Sequence, residues 1–205
     1  MSSRRGIRGE GRQRLIGAAA VCYGKGGRGA MTINGVCSQA QASVGTVYHH
    51  FPGGLRDLED VLYLDTLAGY QEGLLSELSR HRSAAAGVKA VVMFHLDWMA
   101  SNLALAHYLL FFSASWLSAE HLAQLETMNA TFAQAAAAWR EPFVARGHIR
   151  RLPSVLYGAI VLGPAQQLGS EIIVKAPTED VAAIVGRVGP VLADAAWLAV
   201  KGEDC

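Results

Sequence analysis

Residues 32–58 read TINGVCSQAQASVGTVYHHFPGGLRDL, and the spacing within that stretch decides the fold. Thr32 stands where a hydroxyl can cap a helix whose inner stripe is Ile33, Val36, Cys37 and Ala40. After a short break, Ser43 can cap a very short helix that carries Val47 and Phe51 four residues apart, and Pro52-Gly53-Gly54 closes it. Two short helices joined by a tight turn, the second amphipathic, form a helix-turn-helix signature. Ahead of them Leu15, Ala18, Ala19 and Cys22 make an i, i+3, i+4, i+7 stripe, and Gly24 with Gly26-Gly27 is expected to end that first helix.

At about 100° per residue, turning Val47 and Phe51 inward points Gly45 and His49 outward, with Thr46 and Tyr48 on the flanks. A small, polar, hydroxyl-bearing face of this kind suits a major groove. Gly45 lets the backbone approach, Thr46 offers a hydroxyl and a methyl, and Tyr48 and His49 can donate to phosphate oxygens. The same spacing also allows a plain core histidine and a packing tyrosine.

Charge supports a polyanion-binding first quarter. The chain of 205 residues has a formal net charge of only +1. Residues 1–56 nevertheless hold eight basic residues (Arg4, Arg5, Arg8, Arg12, Arg14, Lys25, Arg28, Arg56) against one acid, Glu10, so the remainder is net negative. The basic arm reads either as a nucleic-acid contact or as a solvated tail. Overall, 51% of residues are hydrophobic and 17% charged, which excludes disorder as the dominant state and suggests that a second copy or a ligand covers part of the apolar surface.

The stretch Ser43-Val44-Gly45-Thr46-Val47-Tyr48-His49-His50-Phe51-Pro52, within residues 12–63, resembles the DNA-binding head of the TetR family of bacterial transcriptional regulators. The resemblance implies that Thr32 touches a phosphate, that Val44 and Thr46 face bases, and that Tyr48 and His49 grip the backbone. Ser43 and Gly45 are expected in the same interface, and the charge of the arm, Arg4, Arg5, Arg8 and Arg12, suits wrapping toward a minor groove or the backbone. Two positions depart from the family pattern. Gln41 stands in the turn where glycine is usual, which demands an uncomfortable backbone angle or a different turn. Leu55 stands where a lysine usually opens the fourth helix, with Arg56 next door as a substitute.

The expected class is all-α: a three-helix DNA-binding head with its basic arm over residues 1–54, and a helical effector-binding and dimerisation bundle over 55–205. Helical spacing places a long helix at 55–82 and others near 84–101, 103–115, 118–146, 152–173 and 178–200. Phe94, His95, Trp98, Phe111, Phe112, Trp116, Phe132 and Trp139 are adaptable or aromatic groups interspersed with polar ones. They are either ordinary core or the lining of a largely apolar small-molecule site. The resemblance favours an effector site. Two C-terminal segments look built for pairing, through Leu156, Ile160 and Gly163 in one, with Pro164 bending it, and Ile184, Val188, Val191 and Leu192 in the other. Either they pack within one monomer or they form a homodimer, which in the family sets two recognition helices one DNA turn apart on a palindromic operator.

Enzyme signatures are missing from the sequence. There is no Glu-x-x-His pair, histidine ligand spacing, phosphate-cradling loop or nucleophile elbow, so neither catalysis, metal nor cofactor is expected. Charges interrupt the apolar stretches at 88–99 and 103–117 before bilayer length. Glu10, Arg12 and Arg14 argue against reading the start as a signal segment. Cys22, Cys37 and Cys205, odd in number and scattered, fit reduced thiols in a cytoplasm. The resulting expectation is a ligand-responsive transcriptional repressor acting on double-stranded DNA. The alternatives are a helical adaptor that no longer recognises DNA and, last, an unrecognised helical enzyme.

Overall fold

A computed structural model describes residues 3–175 and 180–203, and side chains over 10–173 and 180–203. Among the described residues the fold is all-α, with ten α-helices and no named strand. The helices are α1 (Ser3–Ala30), α2 (Ile33–Ala40), α3 (Val44–His50), α4 (Leu55–Arg80), α5 (Ala84–Ser101), α6 (Leu103–Phe111), α7 (Ala119–Ala145), α8 (Ser154–Val161), α9 (Gly163–Lys175) and α10 (Val181–Val200), with a short 3-10 turn at Ala114–Trp116. They form two compact units: Met1–Leu67 with His107–Gln124, and Ala68–Ala106 with Leu125–Cys205. Helix α4 contributes residues to both.

The first unit closes over the inner stripes expected from the sequence. Leu15, Ala18, Ala19 and Cys22 of α1, Val36, Cys37 and Ala40 of α2, and Val47 of α3 with its C-cap Phe51 are buried, whereas Ile33, the first residue of the α2 stripe, is half-buried. Thr32 and Ser43 cap as read, their hydroxyls accepting from the N–H groups of Gly35 and Thr46 at 3.0 and 3.1 Å. One boundary differs. Gly24 does not end α1, and helical geometry persists to the kink at Gly26 and Gly27, where Gly27 takes φ 65°. A single glycine costs a helix only about 1 kcal/mol, and it is the adjacent pair that lets the chain break.

The second unit is built on α5 and α10. Val88, Val92 and Leu96 of α5 share a core with Val185, Ala193, Ala196 and Val200 of α10 and with Phe143, Val144 and Tyr157. The helix expected over 152–173 is broken rather than bent. Pro164 lacks an N–H and its ring would clash with the carbonyl four residues back, so α8 stops at Val161 and α9 starts at Gly163. Likewise the helix expected to run to residue 115 ends at Phe111.

The end of α7 is latched to the end of α10. Arg150 N–H donates to the Val200 carbonyl and Gly202 N–H to the His148 carbonyl, each at 2.9 Å, beside an isolated Ile149–Lys201 bridge. A side chain at Gly202 would meet the Gly147 carbonyl oxygen, so the two segments approach this closely only with glycine there. Among the described residues α10 is long and apolar enough to cross a bilayer, which the interruption argument for the earlier stretches does not cover. Its residues Val181, Val185, Gly189, Ala193, Ala196 and Val200 are buried.

Candidate nucleic-acid interface and effector cavity

Helix α3 presents the face that helical spacing predicts. Val47 and Phe51 are fully buried, whereas Val44 is 45% and Tyr48 51% exposed, and Gly45 and His49 are exposed beside them. Thr46 is half-buried, and its hydroxyl lies 2.9 Å from that of Ser43, so the two oxygens at the start of α3 are engaged with each other. Tyr48 is steadied by the turn that follows. Gly54 has φ +66°, and a Cβ there would stand 3.0 Å from the Tyr48 ring. His49 meets His50 edge-on at 5.1 Å. The side chains of Arg4, Arg5 and Arg8 lie outside the described residues. Arg12 is exposed, with its guanidinium 5.4 Å from the centre of the Phe51 ring.

Gln41 takes the left-handed conformation that glycine would have supplied, at φ 51° and ψ 48°. Its N–H donates to Ser38 and that of Ala42 to Cys37, a Schellman closure of α2. The turn keeps its usual form and the side chain bears the strain.

Two of the cations in the basic quarter are tied to acids at the start of α4. Arg28 holds Glu59 through two hydrogen bonds of 2.9 Å, which raise the guanidinium above its ordinary pKa, and lies over Trp116 at 5.0 Å. Arg56, the expected substitute for the missing lysine, has its Nε 3.5 Å from the Asp60 carboxylate but remains more than half exposed. Asp60 itself is 1% exposed. It accepts from Ser118 N–H at 3.0 Å, and His121 Nδ1 lies 3.1 Å away, while Asp57 stands 3.7 Å from the other ring nitrogen. The Tyr108 hydroxyl donates to the Glu59 carbonyl, and burial, then the Glu59 charge, pushes that phenol well above its usual range. Reading the sequence missed this network because Asp60 and His121 are 61 residues apart, with no local pattern to join them.

The eight aromatic and histidine candidates fall into three places. Phe111, Phe112 and Trp116 belong to the first unit, where Phe112 is buried against Tyr63, Tyr108 and Trp116, and Phe111 is exposed beside His107. Phe94, His95 and Trp98 surround Tyr70 in the second unit. His95 is 2% exposed, its Nδ1 is 2.6 Å from the Tyr70 hydroxyl, and burial lowers its pKa to about 4. Its Nε2 has no hydrogen-bond partner.

Phe132 and Trp139 line a cavity of about 290 Å3 that lies wholly within the second unit. Leu74 and Leu78 of α4, Val88 and Val91 of α5, Ala136 and Arg140 of α7, Tyr157, Val161 and Leu162 of α8 and its end, and Val200 of α10 complete most of its wall. Outside it, apolar groups stay in solvent on the helices expected to pair. Leu156 is 41% and Val191 67% exposed, Gly163 is exposed, and Ile160, Ile184, Val188 and Leu192 are half-buried.

No family model matches the chain, and no curated protein matches its sequence. Solved structures do match its fold. A TetR family transcription regulator from Marinobacter aquaeolei VT8 superposes with TM-score 0.71 at 17% identity, over 99% of this chain and 100% of that one. The transcriptional regulator FadR from Bacillus subtilis, solved in complex with stearoyl-CoA, gives 0.70 at 16% identity over 89% and 98%. The TetR family regulator PfmR from Thermus thermophilus gives 0.67 at 16% over 90% and 97%. The chain has the fold of these regulators along nearly its whole length.

Proposed function

We propose that the protein is a DNA-binding transcription regulator, a ligand-responsive repressor that acts as a homodimer on a palindromic operator. The observation that carries this reading is α3, whose buried Val47 and Phe51 leave Val44, Gly45, Tyr48 and His49 exposed on one short helix. A fold shared with TetR-family regulators over 99% of the chain supports it. Residues 1–54 serve as the DNA-binding part. Val44 and Thr46 read bases; Thr32, Ser43, Tyr48, His49 and Arg56 hold phosphates; and Arg4, Arg5 and Arg8 extend the contact along the backbone.

Residues 55–205 hold the effector and pair the subunits. The cavity around Phe132 and Trp139 takes a largely apolar small molecule, a reading supported by the stearoyl-CoA complex of the B. subtilis regulator. The exposed apolar groups of α8 and α10, Leu156 and Val191 foremost, meet their copies across a twofold axis. A ligand that fits only one arrangement of the recognition helices shifts the population away from DNA by no more than its differential affinity. Helix α4, shared by both units, is the covalent link between cavity and DNA-binding part. Such a protein works in the cytoplasm and catalyses nothing.

Selection of bound fragments from random DNA, followed by anisotropy at several salt concentrations, tests the reading. An enriched palindrome with a steep salt slope is expected. Tyr48→Phe combined with His49→Ala should weaken binding to all sequences, whereas replacing Thr46 should change which sequence is preferred. Undiminished affinity in the double variant would refute the placement of α3, and failure to enrich any sequence would favour an adaptor.

A further inference from the structure

The cavity has one charged lining residue, Arg140, in a wall that is otherwise almost entirely apolar. Its guanidinium carbon lies 3.8 Å from the centre of the Tyr157 ring, so the cation is held flat against an aromatic face. The Tyr157 hydroxyl is already spent, accepting from Leu152 N–H at 2.9 Å and donating to the Arg150 carbonyl. The neighbouring acid is spent as well, since Glu141 pairs with Arg151 at 3.2 Å. Among the described residues no carboxylate lies within ion-pair distance of Arg140, although Arg28, Arg56, Arg80 and Arg151 each have one. A guanidinium pinned at an apolar cavity, with its donors uncommitted to any acid, is the protein half of a charge-assisted contact.

Resting on the reading of this cavity as the effector site, we infer that the effector is an amphipathic anion: one apolar body, chain or ring, that carries a single acidic head for Arg140. The apolar body lies against Phe132, Trp139 and Leu78, and the head takes the bidentate fork of the guanidinium. A neutral molecule of the same shape fills the cavity but leaves the fork unused.

Two matched pairs of probes test this on the full chain, by calorimetry and tryptophan fluorescence below micellar concentrations: dodecanoate with dodecan-1-ol, and naphthalene-2-carboxylate with naphthalen-2-ylmethanol. In at least one pair the acid should bind about 10- to 100-fold more tightly than its alcohol, as expected for one hydrogen-bonded charge. The pair that responds tells chain from ring. Arg140→Met should erase that preference while leaving the alcohol within threefold, and Arg140→Lys should restore most of it. Should Arg140→Met fail to fold, the acid-to-alcohol ratio in the wild type and in Arg140→Lys still decides. Acid and alcohol binding alike, with Arg140→Met affecting neither, would overturn the anion inference and leave the effector cavity standing. Loss of all binding, including that of neutral Nile red, would instead overturn the effector cavity itself.

Discussion

Asp60 in the first unit and His95 in the second are both ionisable and almost completely buried, and the two are accommodated differently. Asp60 in the first unit is met from three directions, by the Ser118 N–H, the His121 ring and the Arg56 guanidinium. His95 in the second unit has a single partner, Tyr70, and its Nε2 makes no hydrogen bond; Asp60 Oδ1 likewise makes none, but it has the Arg56 guanidinium 3.5 Å away. Burying a carboxyl group at 1% exposure is costly without such partners, so directional contacts hold this part of the first unit. An imidazole can instead give up its charge. The second unit relies on apolar packing, which accepts alternative arrangements more readily.

The contrast can be broken most severely at Asp60. Asp60→Ala strips partners from Ser118 and His121 at a buried site, and chemical denaturation should show a loss of about 3–5 kcal/mol. A neutral isostere that preserved full stability would show that the network is ornamental.

Acid should act next, through His95. Its pKa falls from 6.5 to about 4 on folding, so between those values the unfolded chain binds a proton that the native chain refuses. Stability from this group is therefore intact above pH 6.5 and drains away as pH falls toward 4, by up to about 3 kcal/mol. The stability difference between His95→Phe and the wild type, followed by denaturation from pH 7 to 4.5, should move in favour of the variant. A difference that does not vary with pH would mean that folding leaves the His95 pKa unchanged.

Smaller effects separate the two turns that frame α3. Gly54→Ala forces a side chain into positive φ and against the Tyr48 ring, and should cost about 1–2 kcal/mol while lowering DNA affinity through Tyr48. Gln41→Gly relieves the left-handed strain at φ 51° and should raise stability by about 1 kcal/mol without changing DNA affinity. An affinity change in the Gln41 variant would mean that this exposed side chain itself meets the nucleic acid.

Much of the first unit could be read from its residues because its determinants are local. Caps at Thr32 and Ser43 and inward stripes four residues apart are set within one or two helical turns, and all but the half-buried Ile33 lie as their spacing dictates. Gln41 was conspicuous for the same reason, although only coordinates could show that the turn keeps its form at the residue's expense. The effector candidates were harder. Aromatic side chains look alike in sequence whether they fill a core or line a cavity, and only Phe132 and Trp139 of the eight reached the cavity. Arg140 escaped notice because its meaning lies in the acids that are absent around it, a property of three-dimensional packing. The Asp60–His121 contact has no signature at all along the chain.

The latch between the ends of α7 and α10 has a consequence in time. Val200 lines the cavity and its carbonyl holds Arg150 in place, so the cavity wall cannot be complete until residues 200–202 have been made. The segment through Phe51 can fold onto α1 long before. At synthesis rates of roughly 5–20 residues per second, the two events are separated by on the order of 10 s. A ribosome-bound chain can thus own a finished α3 while its cavity is still open, and the second unit closes only with the completed latch.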